Sequence, residues 1–321
     1  MNLKHRIGMI ARSNSIIWEL AKRVELLVFS RNRRQQDKHF GPLNPSVKFS
    51  VYRPERSHGL LAFYLSGLGY ICISKHEGFT PIIDAENYRT QYNVDFPVNG
   101  TRNAWEYYFE QPCSYSLDEV YNSRNVRLSG WTLRRNILPF PPPSLEITDD
   151  MMRDAMRDAP VKKYIRDIAG EKVNHDGINE MIGVFVRGTD YALLKPSGHH
   201  IPPTAEQASL KLDEFLVRFG ERKIFLATED GNIYDFFKNK YGNMIYTTDH
   251  NLIRNYSGRD YLANIIDAGD RYKFGLDYLV KMICLSECKY LIASPAGGSR
   301  FARLLNNGRY EEEHIFSLGM Y

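Results

Sequence analysis

Two stretches of the chain carry residue types suited to holding a diphosphate. Residues 181–186 (MIGVFV) read as a buried strand that delivers Arg187, followed by Gly188, Thr189 and Asp190. A guanidinium at the mouth of a buried strand needs an anionic partner, and its planar fork matches phosphate oxygens. Two partners stay open at this point: a ligand phosphate, or Asp190 or Asp230 acting as scaffold. The second stretch, Ser294-Pro-Ala-Gly-Gly-Ser299, joins a strand to a helix with Ser299 as its expected N-cap. Gly297 and Gly298 let the backbone approach a ligand, and N–H groups at a helix start attract an anion such as pyrophosphate. Either stretch alone is a weak signal, because many strand–helix turns are Gly-rich for steric reasons. Other signatures are missing: there is no GxxxxGK[ST], and Ser66-Gly-Leu-Gly-Tyr70 does not complete a GxGxxG after a strand. No Asp-x-Asp stands at a strand end to hold a metal, and no Gly-x-Ser-x-Gly elbow is present. What remains is a diphosphate neutralised by arginine and helix-terminal N–H groups, without metal.

The elements that must position these residues follow from hydrophobic period. In the C-terminal half, strand patterns at 181–186, 223–228, 243–248 and 290–294 alternate with helical patterns at 204–219, 231–240 and 272–287. That alternation predicts an α/β fold with a doubly wound parallel sheet, whose ligands sit beyond the carboxyl ends of the strands. Those ends read Arg187 to Asp190, Thr228-Glu-Asp230 and Ser294 to Ser299. In the N-terminal half, 47–52 and 79–84 read as strands around an apolar helix at 59–74, the opening of a parallel α/β unit. Four prolines within 137–145 predict a linker or an extended crossing. Thr148 then caps a charged amphipathic helix expected to run to about Ile168. Three parts result: a basic segment 1–40, an N-terminal α/β domain 41–178 and a C-terminal α/β domain 179–321.

Charge is unevenly placed. Among 321 residues, 42 are Lys or Arg and 38 Asp or Glu. Residues 1–40 hold nine basic and three acidic residues, +6, which leaves −2 for the rest and excludes a nucleic-acid-binding body. Ile16, Ile17, Leu20, Val24, Leu27 and Val28 share one helical face, with Arg31, Arg33 and Arg34 following. Such a segment suits an anionic membrane surface, or equally a helix packed on the protein's own core. It is too short and too charged to span a bilayer, and it lacks the form of a signal peptide. Four scattered cysteines (Cys72, Cys113, Cys284, Cys288) fit neither a disulfide scaffold nor a zinc site, and predict a reduced, cytoplasmic chain.

Three ordered blocks carry a family resemblance. Gly183-Val-Phe-Val-Arg-Gly-Thr-Asp190 resembles a His-x-Arg-Arg-Thr-Asp motif. Ile224-Phe-Leu-Ala-Thr-Glu-Asp230 is similar to a strand ending in paired acids, and Leu285-Ser-Glu-Cys-Lys-Tyr-Leu-Ile-Ala-Ser294 to a last motif. Together they resemble the fucosyltransferase superfamily of α1,6-fucosyltransferases, the nodulation fucosyltransferase and protein O-fucosyltransferases. Residues 59–92 resemble its N-terminal helix and strand, and the ending 311–321 resembles bacterial proteins of capsule or O-antigen synthesis. The resemblance implies a GT-B arrangement of two facing Rossmann-like domains, and inverting, metal-independent transfer of fucose from GDP-fucose. Arg187 would then neutralise the β-phosphate as charge develops on the leaving group. Thr189 and Asp190 would hold the loop, and Ser294, Gly297, Gly298 and Ser299 would line the pyrophosphate.

Four positions depart from the family pattern. Its motif histidine is Phe185 here and its second arginine Gly188. The helical carboxylate for the guanine edge is Lys281, with Asp277 one turn earlier as the substitute acceptor. The acid that serves as base in the α1,6 enzymes falls near Lys195, which is free to add to phosphate neutralisation instead. The remaining candidate bases are Asp190, His199, His200, Glu229 and Asp230. No cofactor is expected beyond the donor. The expected partners are a nucleotide sugar, a glycan or lipid-linked glycan acceptor and an anionic membrane surface, with no nucleic acid. Another nucleotide sugar on the same fold, or an inactive sugar- or nucleotide-binding module, are the alternatives. Asn103, Trp105, Glu106, Tyr107 and Tyr108 are either an acceptor surface or a packing motif.

Overall fold

The computed structural model describes residues 35–54, 58–130, 145–195, 197–248, 253 and 271–321. The amphipathic stretch 16–29 and the proline-rich stretch 137–144 lie outside these residues. The first sheet is built from β1 (Gln36–Lys38), β2 (Leu43–Tyr52), β3 (Thr80–Ile83) and β4 (Ser123–Leu128), in the order β1-β4-β2-β3. Strand β2 runs parallel to β3 and β4, and β1 is antiparallel to β4. Helix α1 (Leu60–His76) connects β2 to β3, and short α2 (Leu117–Val120) precedes β4 with a Ser116–Glu119 capping box.

Helices α3 (Asp149–Asp158) and α4 (Lys163–Asp176) lead to the second half. The single helix expected from Thr148 to Ile168 is therefore two. Thr148 caps the first turn as expected, through Met151 N. Pro160, however, lacks an N–H and its ring collides with the carbonyl four residues back, so the helix cannot run through it.

The second sheet comprises β5 (Ile182–Phe185), β6 (Ile224–Ala227), β7 (Ile245–Tyr246), β8 (Tyr290–Ala293) and β9 (Glu312–Ile315). All pairs are parallel, in the order β7-β6-β5-β8-β9. The connecting helices are α5 (Thr189–Leu194), α6 (Ala205–Phe219), α7 (Gly231–Tyr241), α8 (Arg271–Ser286) and α9 (Gly297–Asn306). Every residue of β5, β6 and β8 is buried, which is why these strands read as unbroken apolar runs. Chain order runs outward from β5 to β7 on one side and from β8 to β9 on the other. The topological switch point therefore falls between β5 and β8.

The sheets lie on either side of residue 178, yet one hydrophobic cluster spans both. It joins Tyr64 of α1 and Phe109 to Phe185, Leu285 and Phe301 of the second half. Tyr64 stacks on Phe109 at 4.0 Å and meets the edge of Phe301 at 5.8 Å. The Asn103–Tyr108 stretch belongs to this packing. Trp105, Tyr107 and Tyr108 are buried, and Asn103 binds Ala85 N and the Ile83 carbonyl through its amide. Among the described residues no helix is long and apolar enough to cross a membrane.

Candidate functional site

The carboxyl ends of β5 and β8 are stitched together at the switch point. Ser294 N donates to the Phe185 carbonyl at 2.9 Å, and Arg187 N donates to Ser294 Oγ at 3.1 Å. Arg187 is thus delivered to the crevice with its backbone already fixed. Gly188 follows, and its N–H donates to Glu229 Oε1 at 3.3 Å. A Cβ at Gly188 would fall 2.4 Å from Asp230 Oδ2 and 2.7 Å from Ile233 Cδ1. A side chain there would have to push Asp230 and Ile233 aside, so glycine lets the loop pack closely on α7. Asp230 in turn caps α7, accepting from Asn232 N at 2.8 Å and Ile233 N at 3.3 Å.

Helix α8 supplies the facing wall. Lys281 is only 6% exposed and donates from Nζ to the Thr228 carbonyl at 3.1 Å. Glu229, Asp277 and Lys281, with the rings of Phe185, Phe274 and Tyr278, line a cavity of about 20 Å³. That volume holds roughly one water, so the rings close over the polar groups.

The first turn of α9 completes the cradle. A Cβ at Gly298 would lie 2.6 Å from Tyr278 Oη and 2.8 Å from Met282 Sδ, so a side chain there would have to push both aside. At Gly297 the nearest atom would be Ala62 N, at 3.6 Å, and the first turns of α9 and α1 therefore face each other. Ser299 is not the N-cap. The helix starts at Gly297 after Ala296, and Ser299 stands in the third helical position. Its Oγ accepts from Ala296 N at 3.0 Å and donates to the Ser294 carbonyl at 2.6 Å, so it braces the turn from beneath.

The N-terminal half adds residues that the sequence did not reveal. Leu60 N, at the start of α1, donates to Tyr92 Oη at 2.7 Å. The amide of Gln91 binds the His58 carbonyl beside it. Burial pushes the Tyr92 phenol up to about 12, and the nearby Arg187 charge works against that shift. Tyr92 therefore lies within electrostatic reach of Arg187 across the two halves. It sits in an irregular stretch after β3, at the very end of the 59–92 block, with no helical or strand period around it.

The remaining candidates follow Arg187 along the chain. Thr189 and Asp190 open α5 behind Gly188. Lys195 ends that helix, exposed and left-handed at φ 43°. His200 is exposed and bridges Met320, and His199 accepts from Tyr321 N through its carbonyl. The loop that carries both histidines is thereby pinned to the chain's last residues. Burial pushes the Cys288 and Cys284 thiols up. Among the described residues no group of His, Cys, Asp and Glu could hold a metal ion.

No protein-family model and no curated protein matches the chain. Solved structures do. NodZ α-1,6-fucosyltransferase, in a crystal soaked with GDP-fucose, aligns with TM-score 0.51 at 17% identity, over 80% of this chain and 92% of that one. The chain shares the NodZ fold. Fucosyltransferase NodZ from Bradyrhizobium aligns with TM-score 0.52 at 14% identity, over 81% and 94% of the two chains. Its selenomethionine form gives TM-score 0.52 at 14% identity, over 85% and 96%. The expected GT-B-like arrangement of two α/β halves is thus the observed one, with Arg187 at the switch point of the second half.

Proposed function

We propose that the protein is an inverting, metal-independent glycosyltransferase that moves fucose from GDP-fucose to a glycan acceptor. The observation that carries this reading is the Arg187–Ser294 junction facing the glycine-lined first turn of α9. It stands at the switch point of a fold shared with a structure soaked with GDP-fucose. In the proposed reaction the acceptor hydroxyl oxygen attacks the anomeric carbon as its bond to the β-phosphate oxygen breaks. The electron pair leaves with GDP, and the hydroxyl proton passes to Asp190 or His200. Arg187 meets charge that grows on the departing phosphate, which lowers the barrier more than it strengthens ground-state binding. Thr189, Lys195, Ser294, Gly297 and Gly298 are assigned to the pyrophosphate. Asp277 and Glu229 would accept from the N–H groups of the base, and Lys281 would donate to a base carbonyl. Asp230 and Ser299 hold the loops. With only about 20 Å³ between the walls, the base enters when Phe274 or Tyr278 swings aside.

The acceptor belongs, in this reading, to a bacterial capsule or O-antigen and is lipid-linked. The +6 of residues 1–40 would hold the protein against the anionic inner face of the cytoplasmic membrane. Removing residues 1–34 tests this without cutting into β1, and should release the protein from anionic liposomes. Thermal shift with GDP, UDP and ADP tests the donor. Ligand at a hundredfold over its Kd stabilises by about 2.7 kcal/mol, so the preferred nucleotide stands out. Preference for UDP transfers the reading to another nucleotide sugar. GDP binding with neither transfer nor donor hydrolysis makes the protein a binding module, an outcome that the lysine at 195 gives reason to watch for.

A further inference from the structure

A second cavity, of about 610 Å³, lies where α8 and α9 end, against α3 and α4. Its volume is in the range of small-molecule sites. Its walls are apolar: Met156 from α3, Val173 from α4, Ile283 from α8, Leu304 and Leu305 from α9, and Tyr64 from α1. On α4, a Cβ at Gly170 would meet nothing within 4 Å, so the wall is open at that point. The charged lining is asymmetric, with Arg153, Arg157 and Arg166 set against Glu287 alone. Glu287 is taken by Arg309 through two bonds, of 2.9 and 3.0 Å. Arg153 and Arg157 hold Asp150 and Asp154 one turn away, exposed pairs of the kind that contribute little. Arg166 has no carboxylate partner among the described residues, and its Nε donates to the Val161 carbonyl at 3.1 Å.

We propose that this cavity binds an anionic amphiphile, its hydrocarbon chain among the apolar side chains and its head group on Arg166 and Arg157. A hydrocarbon chain that fills the cavity removes from water the apolar surface that its walls still show. A guanidinium beside a low-dielectric wall binds an anion more strongly than one in open solvent. The inference stands apart from the proposed transferase activity, because none of these residues lies at the Arg187 site.

Calorimetric titration of the full chain with decyl phosphate, hexyl phosphate, decanol and inorganic phosphate tests it. Decyl phosphate should bind one to one, and each added methylene should tighten binding by about two- to fourfold. Inorganic phosphate should not bind, and decanol should bind about tenfold more weakly than decyl phosphate. Gly170→Leu fills the cavity and replaces a poor helix former, so it should abolish decyl phosphate binding with no fall in melting temperature. Arg166→Gln should weaken decyl phosphate and leave decanol unchanged. The proposal is overturned if decanol matches decyl phosphate, if inorganic phosphate binds as tightly as decyl phosphate, or if Gly170→Leu binds as before. A dimer that Gly170→Leu dissociates would also overturn it, by making a second copy of the chain the occupant.

Discussion

Around Arg187 the polar groups are tied down: Arg187 N on Ser294, Gly188 N on Glu229, and Lys281 on Thr228, about a cavity of about 20 Å³. Around Gly170, at the far ends of α8 and α9, the walls are apolar and the cavity is about 610 Å³. The same two helices thus close one end of the molecule and leave the other open. At the tight end, the backbone around Arg187 is set before a ligand arrives, so a substitution there should remove function or force neighbouring side chains aside. At the open end, added bulk has somewhere to go.

Four substitutions sharpen this contrast. Arg187→Ala should lower transfer or donor hydrolysis by about 10²–10³-fold, the usual effect of removing one group that meets developing charge. A near-normal rate would show that Arg187 is scaffold. Gly188→Arg supplies the arginine of the motif that residues 183–190 resemble but collides with Asp230, and should cost about 1–3 kcal/mol in urea unfolding. Tyr92→Phe leaves the buried Leu60 N–H without its acceptor and should cost about 1–2 kcal/mol. Gly170→Ala should do the reverse, adding about 0.5–1 kcal/mol and raising the melting temperature. If Gly170→Ala destabilises, the rear cavity is not the open space described.

Alkali tests the Tyr92 contact as well. The folded Tyr92 phenol, raised by burial to about 12, stands above its unfolded value near 10. Its contribution is fully present below about pH 10 and is lost as pH rises toward 12. The urea midpoint of the wild-type protein should therefore fall more across that window than that of Tyr92→Phe.

The C-terminal sheet was legible because burial on both faces forces continuous apolar runs, as at 182–185 and 290–293. Strands β1, β4 and β9 were not. SRNVRL and EEHI mix charge into the strand, since one side or one edge meets water. Only two residues of the expected strand 243–248 pair, because a 3₁₀ turn occupies Gly242–Met244. In the site, Arg187, Glu229 and Ser294 were readable as strand ends, and Asp277 and Lys281 through the family resemblance. Tyr92 and Gln91 were invisible, as they come from an irregular stretch of the other half. His200 and Lys195 were named from their place after Arg187; the pairing of the histidine loop with the chain's last residues and the left-handed end of the helix left no mark in the sequence.

The cluster shared by Tyr64, Phe109, Phe185, Leu285 and Phe301 also governs how the molecule comes apart. Melting either half would strip the other of its apolar cover, so neither retains a stable intermediate of its own. Calorimetry should then show one endotherm with equal calorimetric and van't Hoff enthalpies. Cutting the chain near residue 178 should yield two fragments that fold only when mixed.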